Sequence, residues 1–508
     1  MSKVDVDLGD LLAKVLPIGV KLTIRHISST PTASTALFAP SPGEEAEPTF
    51  CQNNFLSASI TSSNNRDEII VFGIEVLVYT TAHLTTIFVS KADSTGHLHL
   101  LNAAPKSSVL RRLTNTFLSF LVHTHQRPGV RLVVSLFARA QNQYLYPGSI
   151  ENAEKHVLDD RGLIKWWCRA LDPILREYES ESASQEQDKK QEESAHSSAT
   201  AYLIVPSCDK FETRGFFPPS AKSDDKSRSR WLNAYPLNQL CSNPGAPPRC
   251  LVPRFPDDPK TRFLTDLDDE LPEGGATERS GQWRSVKSLD QFWEMMSFRQ
   301  ECSAGRLVGF LWLVINPPGV LNSNPMLSSK SGLTGAGGAL TTSTLNVSAT
   351  SQQQEPTALK SLSDQTKIQT TNDGSAFYWP QAGRGHAVLN EANYKAAINF
   401  LLGQDFYNEN VSTSSTVAFN DKVADLADEL WVGQLVVGKA TDAESTGPAT
   451  DAVSTAVPTT LQVRKRKKDQ SEPSETAPSV PVGTESSQPE SSSVNVLQAN
   501  LIRKKKKT

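Results

Sequence analysis

Asp257 and Asp258 stand side by side between Pro256 and Pro259, with Lys260 two residues beyond the second acid and Arg254 and Arg262 on the flanks. A carboxylate pair beside an amine is a residue set for moving a proton or orienting an amine substrate, provided it is held rigidly. Prolines at 253, 256 and 259 supply rigidity. Each fixes its own φ and drives the preceding residue to an extended backbone, which predicts a stiff, presented loop over 251–262 rather than a helix. Trp231, upstream in Arg230-Trp231-Leu232-Asn233-Ala234-Tyr235-Pro236, offers an aromatic wall for the same site. The same residues also describe a proline-rich surface turn with solvated acids, since most acidic pairs do no chemistry.

A second set lies nearer the N-terminus. Phe88-Val89-Ser90-Lys91-Ala92-Asp93-Ser94-Thr95-Gly96 reads as a strand running into a tight polar turn, where α/β folds place site residues. The helix that follows starts near Ser107 and Ser108, with Arg111 and Arg112 in its first turns. Free N–H groups and two guanidinium groups there form a candidate pyrophosphate site, against the alternative of a surface helix with exposed arginines. Other patterns carry less. Gly335-Ala336-Gly337-Gly338 lacks the Gly-Lys-Ser/Thr of a phosphate loop and reads as linker, and Gln381-Ala382-Gly383-Arg384-Gly385 falls one residue short of a known Gly-rich cofactor turn. His123 and His125 have no acid or cysteine close in sequence, so polar packing near a helix end is expected rather than metal binding.

The elements that must position these residues follow from periodicity. Leu8, Leu11, Leu12, Val15 and Leu16 predict an opening amphipathic helix. Strands are expected at 20–27, 68–80, 84–90, 131–138, 201–206 and 307–315. Leu110, Leu113, Phe117 and Leu121 mark a helix stripe, and 158–178 predicts a helix kinked or split at Pro173. Residues 288–302 predict a helix with Leu289, Phe292, Met295, Met296 and Phe298 facing inward, and helices are expected at 390–402 and 421–435. Strands interleaved with helices predict a single large mixed α/β domain, with a central sheet surrounded by helices, over residues 1–437. Disordered insertions are expected at about 179–198 and 322–375, and 438–508 reads as a disordered polar tail.

Composition fits that outline. Only 38% of the 508 residues are hydrophobic, which suits a large core with unfolded appendages. The net charge of −4 conceals two basic clusters, Arg464–Lys468 and Arg503–Lys507, which read as nuclear import or polyanion-binding elements. Six scattered cysteines with no CxxC pair suit a reducing compartment. The acidic start of the chain does not read as a secretory signal, and no run of about eighteen apolar residues predicts a membrane span.

Taken together, Val89–Ser94, Tyr202-Leu203-Ile204-Val205-Pro206, Trp231 through Pro236, Pro256-Asp257-Asp258-Pro259-Lys260, Phe292-Trp293-Glu294 through Cys302, and Phe377-Tyr378-Trp379-Pro380 resemble one family. It is the fungal-type histone H3 lysine acetyltransferases of the regulator of Ty transposition type, which share a fold with the CREB-binding-protein acetyltransferases. The resemblance implies acetyl transfer from acetyl-CoA, without a metal, to a lysine of newly synthesised H3, in replication-coupled nucleosome assembly and the DNA damage response. It implies a nuclear protein that works with histone H3–H4 and with chaperones of the anti-silencing-function and nucleosome-assembly-protein types, the tail adding a DNA contact. It assigns catalysis to Asp258, with Asp257 beside it and Trp231 at the reactive end of the cofactor. It assigns cofactor contacts to Ala92, Asp93 and Ser94, phosphate contacts to Arg111 or Arg112, a further reach to Lys222, and self-acetylation to Lys260. The rival reading is a non-catalytic nuclear scaffold whose basic tail binds chaperones or nucleic acid.

Overall fold

The run Val308–Ile315 has no polar alternation, the pattern of a strand covered on both faces. The structure, a computed structural model, buries every residue from Val308 to Asn316. It describes residues 7–62, 67–101, 106–181, 196–271, 281–299, 302, 306–322 and 375–441. These belong to one compact unit. The strands are β1 (Lys21–Ser29), β2 (Thr32–Ser34), β3 (Thr49–Thr61), β4 (Glu68–Thr80), β5 (Leu84–Ser94), β6 (Arg131–Arg139), β7 (Ser198–Ile204), β8 (Trp231–Leu232), β9 (Val308–Asn316), β10 (Ala387–Leu389) and β11 (Gln434–Val437). They join in one mixed sheet of order β10-β1-β3-β4-β5-β6-β9-β7-β8, with β11 on β1 and β2 on β3. β5 runs parallel to β6, and its other neighbour β4 is antiparallel.

The helices are α1 (Leu8–Val15), α2 (Lys106–His125), α3 (Asp160–Arg176), α4 (Lys210–Arg214), α5 (Leu237–Leu240), α6 (Pro259–Asp268), α7 (Leu289–Ser297), α8 (Glu391–Leu402) and α9 (Glu409–Ala427). Alternate residues of the strands feed opposite faces. Leu311, Leu313 and Ile315 of β9 join Leu132 and Ile87 in a core with Leu12 of α1, Leu113 and Phe117 of α2, and Ile164 and Leu171 of α3. Phe310, Trp312 and Val314 point the other way, into a core with Phe263 and Leu267 of α6 and Phe292 and Met296 of α7. Further along that second face, Ile27, Phe55 and Ile70 meet Tyr394 and Leu401 of α8 and Phe419 of α9. Between these two cores lies a small one of Leu37, Leu77, Tyr79, Phe88 and Phe255.

Several expectations need correction. β3 is a full strand that hydrophobic patterning missed, because Gln52, Asn53, Asn54, Ser57 and Ser59 break its apolar run; Asn54 meets the His26 ring at 3.1 Å and Asn53 N donates to Ser29 at 2.9 Å. α3 runs unbroken through Pro173. Its whole inner face, Ile164 to Leu175, is buried, and packing overrides the proline. The expected 421–435 helix instead starts at Glu409 and ends at Ala427, and the chain then forms β11. Its first half is rich in Ser and Thr, which satisfy themselves by donating to carbonyls one turn back, as Thr413 does to Glu409 and Thr416 to Ser412. α7 stops at Ser297, leaving Phe298 73% and Met295 39% exposed rather than inward-facing. Of the expected insertions, Glu179 pairs with Ser198 in a β-bridge and Glu181 accepts from Asn322, while 182–195 and 323–374 lie outside the described residues. The tail beyond 441, with both basic clusters, lies outside them as well. Among the described residues no helix is long and apolar enough to cross a membrane.

Candidate active site

β5 and β6 pair from Leu84↔Arg131 to Val89↔Leu136 and then part. Beyond that point β5 continues on β4 alone, to Ser94, and β6 continues on β9, to Arg139. The split opens a cleft at the carboxyl ends of two parallel strands, the position where open α/β sheets receive ligands. It encloses about 160 Å³. Val89, Leu136, Leu110, Leu163, Trp166 and Trp167 give it apolar walls, and its charged lining is Lys91, Arg139 and Lys155 against one acid, Asp93. An apolar cleft with mostly cationic charge suits an elongated ligand with an uncharged reactive end and an anionic far end.

Ala92, Asp93 and Ser94, the residues the resemblance assigns to cofactor contact, line this cleft. Asp93 is fixed by four donors: Tyr144 N at 2.7 Å, Leu145 N at 3.0 Å, Lys155 Nζ at 2.9 Å and Ser94 N at 2.8 Å. It therefore ties the far wall, residues 144–155, to the end of β5. Gly73 lies opposite Asp93 on β4, and a Cβ there would meet Tyr146 Oη at 2.2 Å, so that wall requires glycine.

The acid pair sits on the second face of the sheet, where Phe255 stacks on Phe88 of β5 at 4.1 Å between ring centres. Thr261 Oγ1 both accepts from Phe255 N and donates to Phe255 O, each at 2.8 Å, closing the Phe255–Thr261 turn. The loop expected over 251–262 reaches only to Asp258 and is not extended throughout, since Asp257 takes a left-handed backbone; Pro259 then opens α6 at its first position, where a proline needs no N–H. Asp258 is the helix N-cap and accepts from Lys260 N at 2.9 Å. Its other oxygen binds Lys260 Nζ. Both side chains of that pair are buried, and the ammonium lies 4.3 Å from the Phe310 ring centre and 5.9 Å from Trp312. Burial lowers the Lys260 pKa below its ordinary value even with Asp258 holding it up.

Asp257 has the opposite character. Its side chain is 62% exposed and its φ is +58°, the left-handed region that few residues other than glycine adopt. Lys91, from the cleft, reaches it at 3.2 Å. The acid turn and the cleft therefore touch through one ion pair, although about 165 residues separate them in sequence.

Other expected site residues lie elsewhere. Arg112 donates to Val15 O at 2.6 Å and so caps the C-terminus of α1 rather than facing the cleft. Arg111 is not among the lining residues, nor is Lys222, which is exposed on the Pro219–Lys222 turn. Side chains of Ser107 and Ser108 fall outside the described set. Trp231 is buried at 1% exposure, packs on Phe217 and donates from Nε1 to Asp172 at 2.9 Å, more than a turn along α3 from the cleft residue Trp167. It buttresses α3 in place of walling the acid turn. His123 pairs with Glu177 at 2.8 Å and His125 packs against Gln52, as polar packing requires. Lys91, Arg139 and Lys155 were missed as lining residues. The available signal was that Lys91 and Arg139 close two apolar strands.

Comparison with known proteins gives a consistent result. The family model for the histone acetyltransferase KAT11-type domain matches residues 8–130 and 128–422. The histone acetyltransferase rtt109 of Aspergillus flavus is 62% identical, covering 100% of both chains. That of Schizosaccharomyces pombe is 33% identical over 60% of this chain and 70% of its own. The crystal structure of Rtt109 from Aspergillus fumigatus superimposes with a TM-score of 0.74 at 65% identity, covering 86% of this chain and 100% of that one.

Proposed function

The chain belongs to the KAT11-type histone acetyltransferase family, and from that premise we propose that it acetylates a lysine of newly synthesised histone H3 while H3–H4 is held by a chaperone. It is a histone acetyltransferase, with acetyl-CoA as co-substrate and histone as acceptor. The rival reading as a non-catalytic scaffold falls with that. We assign the acetyltransferase domain to residues 1–437 and a nuclear-import and partner-binding role to 438–508. The chaperones are of the anti-silencing-function and nucleosome-assembly-protein types, the tail's two basic clusters favour acidic chaperone surfaces or DNA, and the setting is nucleosome assembly at replication and DNA damage.

One observation carries the site assignment: Asp257, beside the buried Asp258–Lys260 pair, meets Lys91 of the cleft at 3.2 Å. The cleft fits an acyl donor of this kind, with apolar walls for the acyl arm and Arg139 and Lys155 for anionic charge. When bound, acetyl-CoA supplies an acyl group activated as a thioester. Ala92, Asp93 and Ser94 hold that donor along β5, and Asp93 keeps the far wall closed against water. The acceptor lysine must arrive as, or become, a neutral amine, which lies about three pH units above neutrality for a free side chain. Asp257 and Asp258 attract and orient that amine, and its proton leaves through a carboxylate or a bridging water. The new N–C bond would form as the C–S bond breaks, the coenzyme leaving as a thiolate that takes up the proton given up by the amine.

In the unacetylated state Asp258 is committed to Lys260. Lys260 is a suitable self-acceptor, because burial already disfavours its ammonium. Acetylation would remove the positive charge and free one Asp258 oxygen for the substrate amine, while leaving an amide N–H to donate. The test is to incubate the protein with acetyl-CoA and H3–H4, free and chaperone-bound, and to map acetylated lysines by mass spectrometry. Chaperone-bound H3 should be the better substrate, and Asp258→Asn should lose roughly ten- to a thousandfold in turnover. Equal rates on free and chaperone-bound histone would remove the chaperone reading, and near-normal turnover by Asp258→Asn would remove the catalytic one.

A further inference from the structure

Lys91 belongs to both halves of the site, and the fold goes out of its way to aim it. The β4–β5 register shifts between Glu75↔Lys91 and Val76↔Val89, so Ser90 is the extra residue of a bulge in β5. The bulge lets two consecutive side chains reach the same buried carboxylate: Ser90 Oγ donates to Glu75 Oε2 at 2.9 Å and Lys91 Nζ to the same oxygen at 3.2 Å. Tyr394 of α8 donates to the other oxygen of Glu75 at 3.4 Å. From that anchored base the Lys91 ammonium extends to Asp257 at 3.2 Å, in the same place where β5 leaves β6 and the cleft begins.

We infer that Lys91 is a positioning residue for acetyl transfer: anchored on Glu75, it grips Asp257 and holds the acid turn in register with the acyl-donor cleft. The inference rests on the reading of cleft and acid turn given above. Asp257 supplies the reason a grip is needed. The Phe255–Asp258 turn, closed by Asp258 N donating to Phe255 O at 3.4 Å, sets the backbone of Asp257 at φ +58°. Its side chain is exposed, however, and the ion pair with Lys91 is what fixes that carboxylate and opposes opening of the turn. The turn also caps α6 through Asp258, so a shift at Asp257 displaces the carboxylate next to it. Lys91 is itself suited to a fixed role. Burial alone lowers its pKa, but Glu75 and Asp257 outweigh that and raise it, so it stays an ammonium and serves neither as base nor as acetyl acceptor.

The experiment compares Lys91→Met, Lys91→Arg, Asp257→Asn and Asp257→Gly with the parent in the full chain, reading kcat, KM for acetyl-CoA and melting temperature on H3–H4. Lys91→Met is expected to lower kcat roughly ten- to a hundredfold, with KM for acetyl-CoA changed by less than about twofold. Lys91→Arg should recover most of the loss. Asp257→Asn, altering an exposed side chain, should fold normally and lose about as much as Lys91→Met. Glycine adopts positive φ freely, so in the Asp257→Gly background Lys91→Met should cost less than about twofold more. Equal losses from Lys91→Met in both backgrounds would overturn the inference, because Lys91 would then act on the substrates directly. A raised KM with unchanged kcat would overturn it too, as would full kcat in Asp257→Asn. Failure of the underlying reading looks different: the parent protein would show no saturable use of acetyl-CoA, or Asp258→Asn would remain active.

Discussion

Replacing Asp258 with asparagine should reveal the acetylation state of Lys260 as a difference in stability. Asparagine keeps the N-cap, since it serves as well as aspartate there, so the cap contributes little to the change. What is lost is the countercharge to an ammonium whose side chain is 1% exposed. Breaking a buried pair by removing one partner costs about 3–5 kcal/mol. The ceiling is set by neutralising the lysine instead, which at pH 7.5 means about three pH units, or roughly 4 kcal/mol. We therefore expect Asp258→Asn to destabilise unacetylated protein by about 3–4 kcal/mol at pH 7.5. The sign with pH follows: the folded pKa of Lys260 is depressed, so the unfolded chain binds more protons and folded stability rises with pH. At pH 9 the penalty should fall to about 2 kcal/mol. In a Lys260→Gln background, where a neutral amide replaces the ammonium, the same change should cost only about 1 kcal/mol, one ordinary hydrogen bond. Urea unfolding followed by tryptophan fluorescence, with intact-mass measurement of the acetylation state, gives all three values. A penalty that ignores both pH and the Lys260→Gln background would refute the reasoning.

Three further outcomes are expected. Ala92→Phe fills the cleft and should weaken acetyl-CoA binding at least about tenfold while leaving the melting temperature nearly unchanged; isothermal titration reads the affinity, and unchanged binding would relocate the donor site. Burial lowers His26 to about 3 and His125 to about 4, so the unfolded chain takes up their protons first. Stability should drop by several kcal/mol as the pH falls from about 6.5 to 4, and His125→Gln should flatten that slope in urea titrations; an equal slope would count against it. Removing residues 460–508 should reduce nuclear accumulation and acetylation of chaperone-presented histone, but leave acetyl-CoA affinity intact; lost cofactor binding would show that the tail helps build the site.

The sheet was legible where strands are apolar and opaque where they are polar. β4, β5, β6 and β9 announce themselves, but β3 carries Gln52, Asn53, Asn54, Ser57 and Ser59, and it is a strand because β4 pairs it along its length while β1 pairs Asn54–Ser59 on its other side. The same blindness hid the first half of α9, whose buried Ser412, Ser415 and Thr416 look like loop residues in isolation. For the site, chain-local features were readable: the acid pair, its neighbouring lysine, and the polar end of β5. Features made by tertiary contact were not. Arg112 looks like an anion-binding residue until α1 arrives at its guanidinium, and Trp231 looks like a pocket wall until Asp172 takes its N–H. An arginine or tryptophan has many uses, and only its neighbours choose among them.

The same logic explains why the acid turn is where it is. Phe255 belongs to the small core between the α6–α7 core and the α8–α9 core, and it stacks on Phe88, a β5 residue whose neighbour Val89 faces the cleft. β5 thus carries the cleft at its end and the acid turn on its second face, and successive residues serve the two sides because strand side chains alternate. Continued alternation alone would leave each side chain committed to one face. The bulge at Ser90 breaks the alternation at the point where the two sites must meet, and Lys91 is the side chain that crosses between them. A strand without that extra residue would pair more regularly with β4 but would send its lysine elsewhere, and the cleft and the acid turn would lose the ion pair that links them.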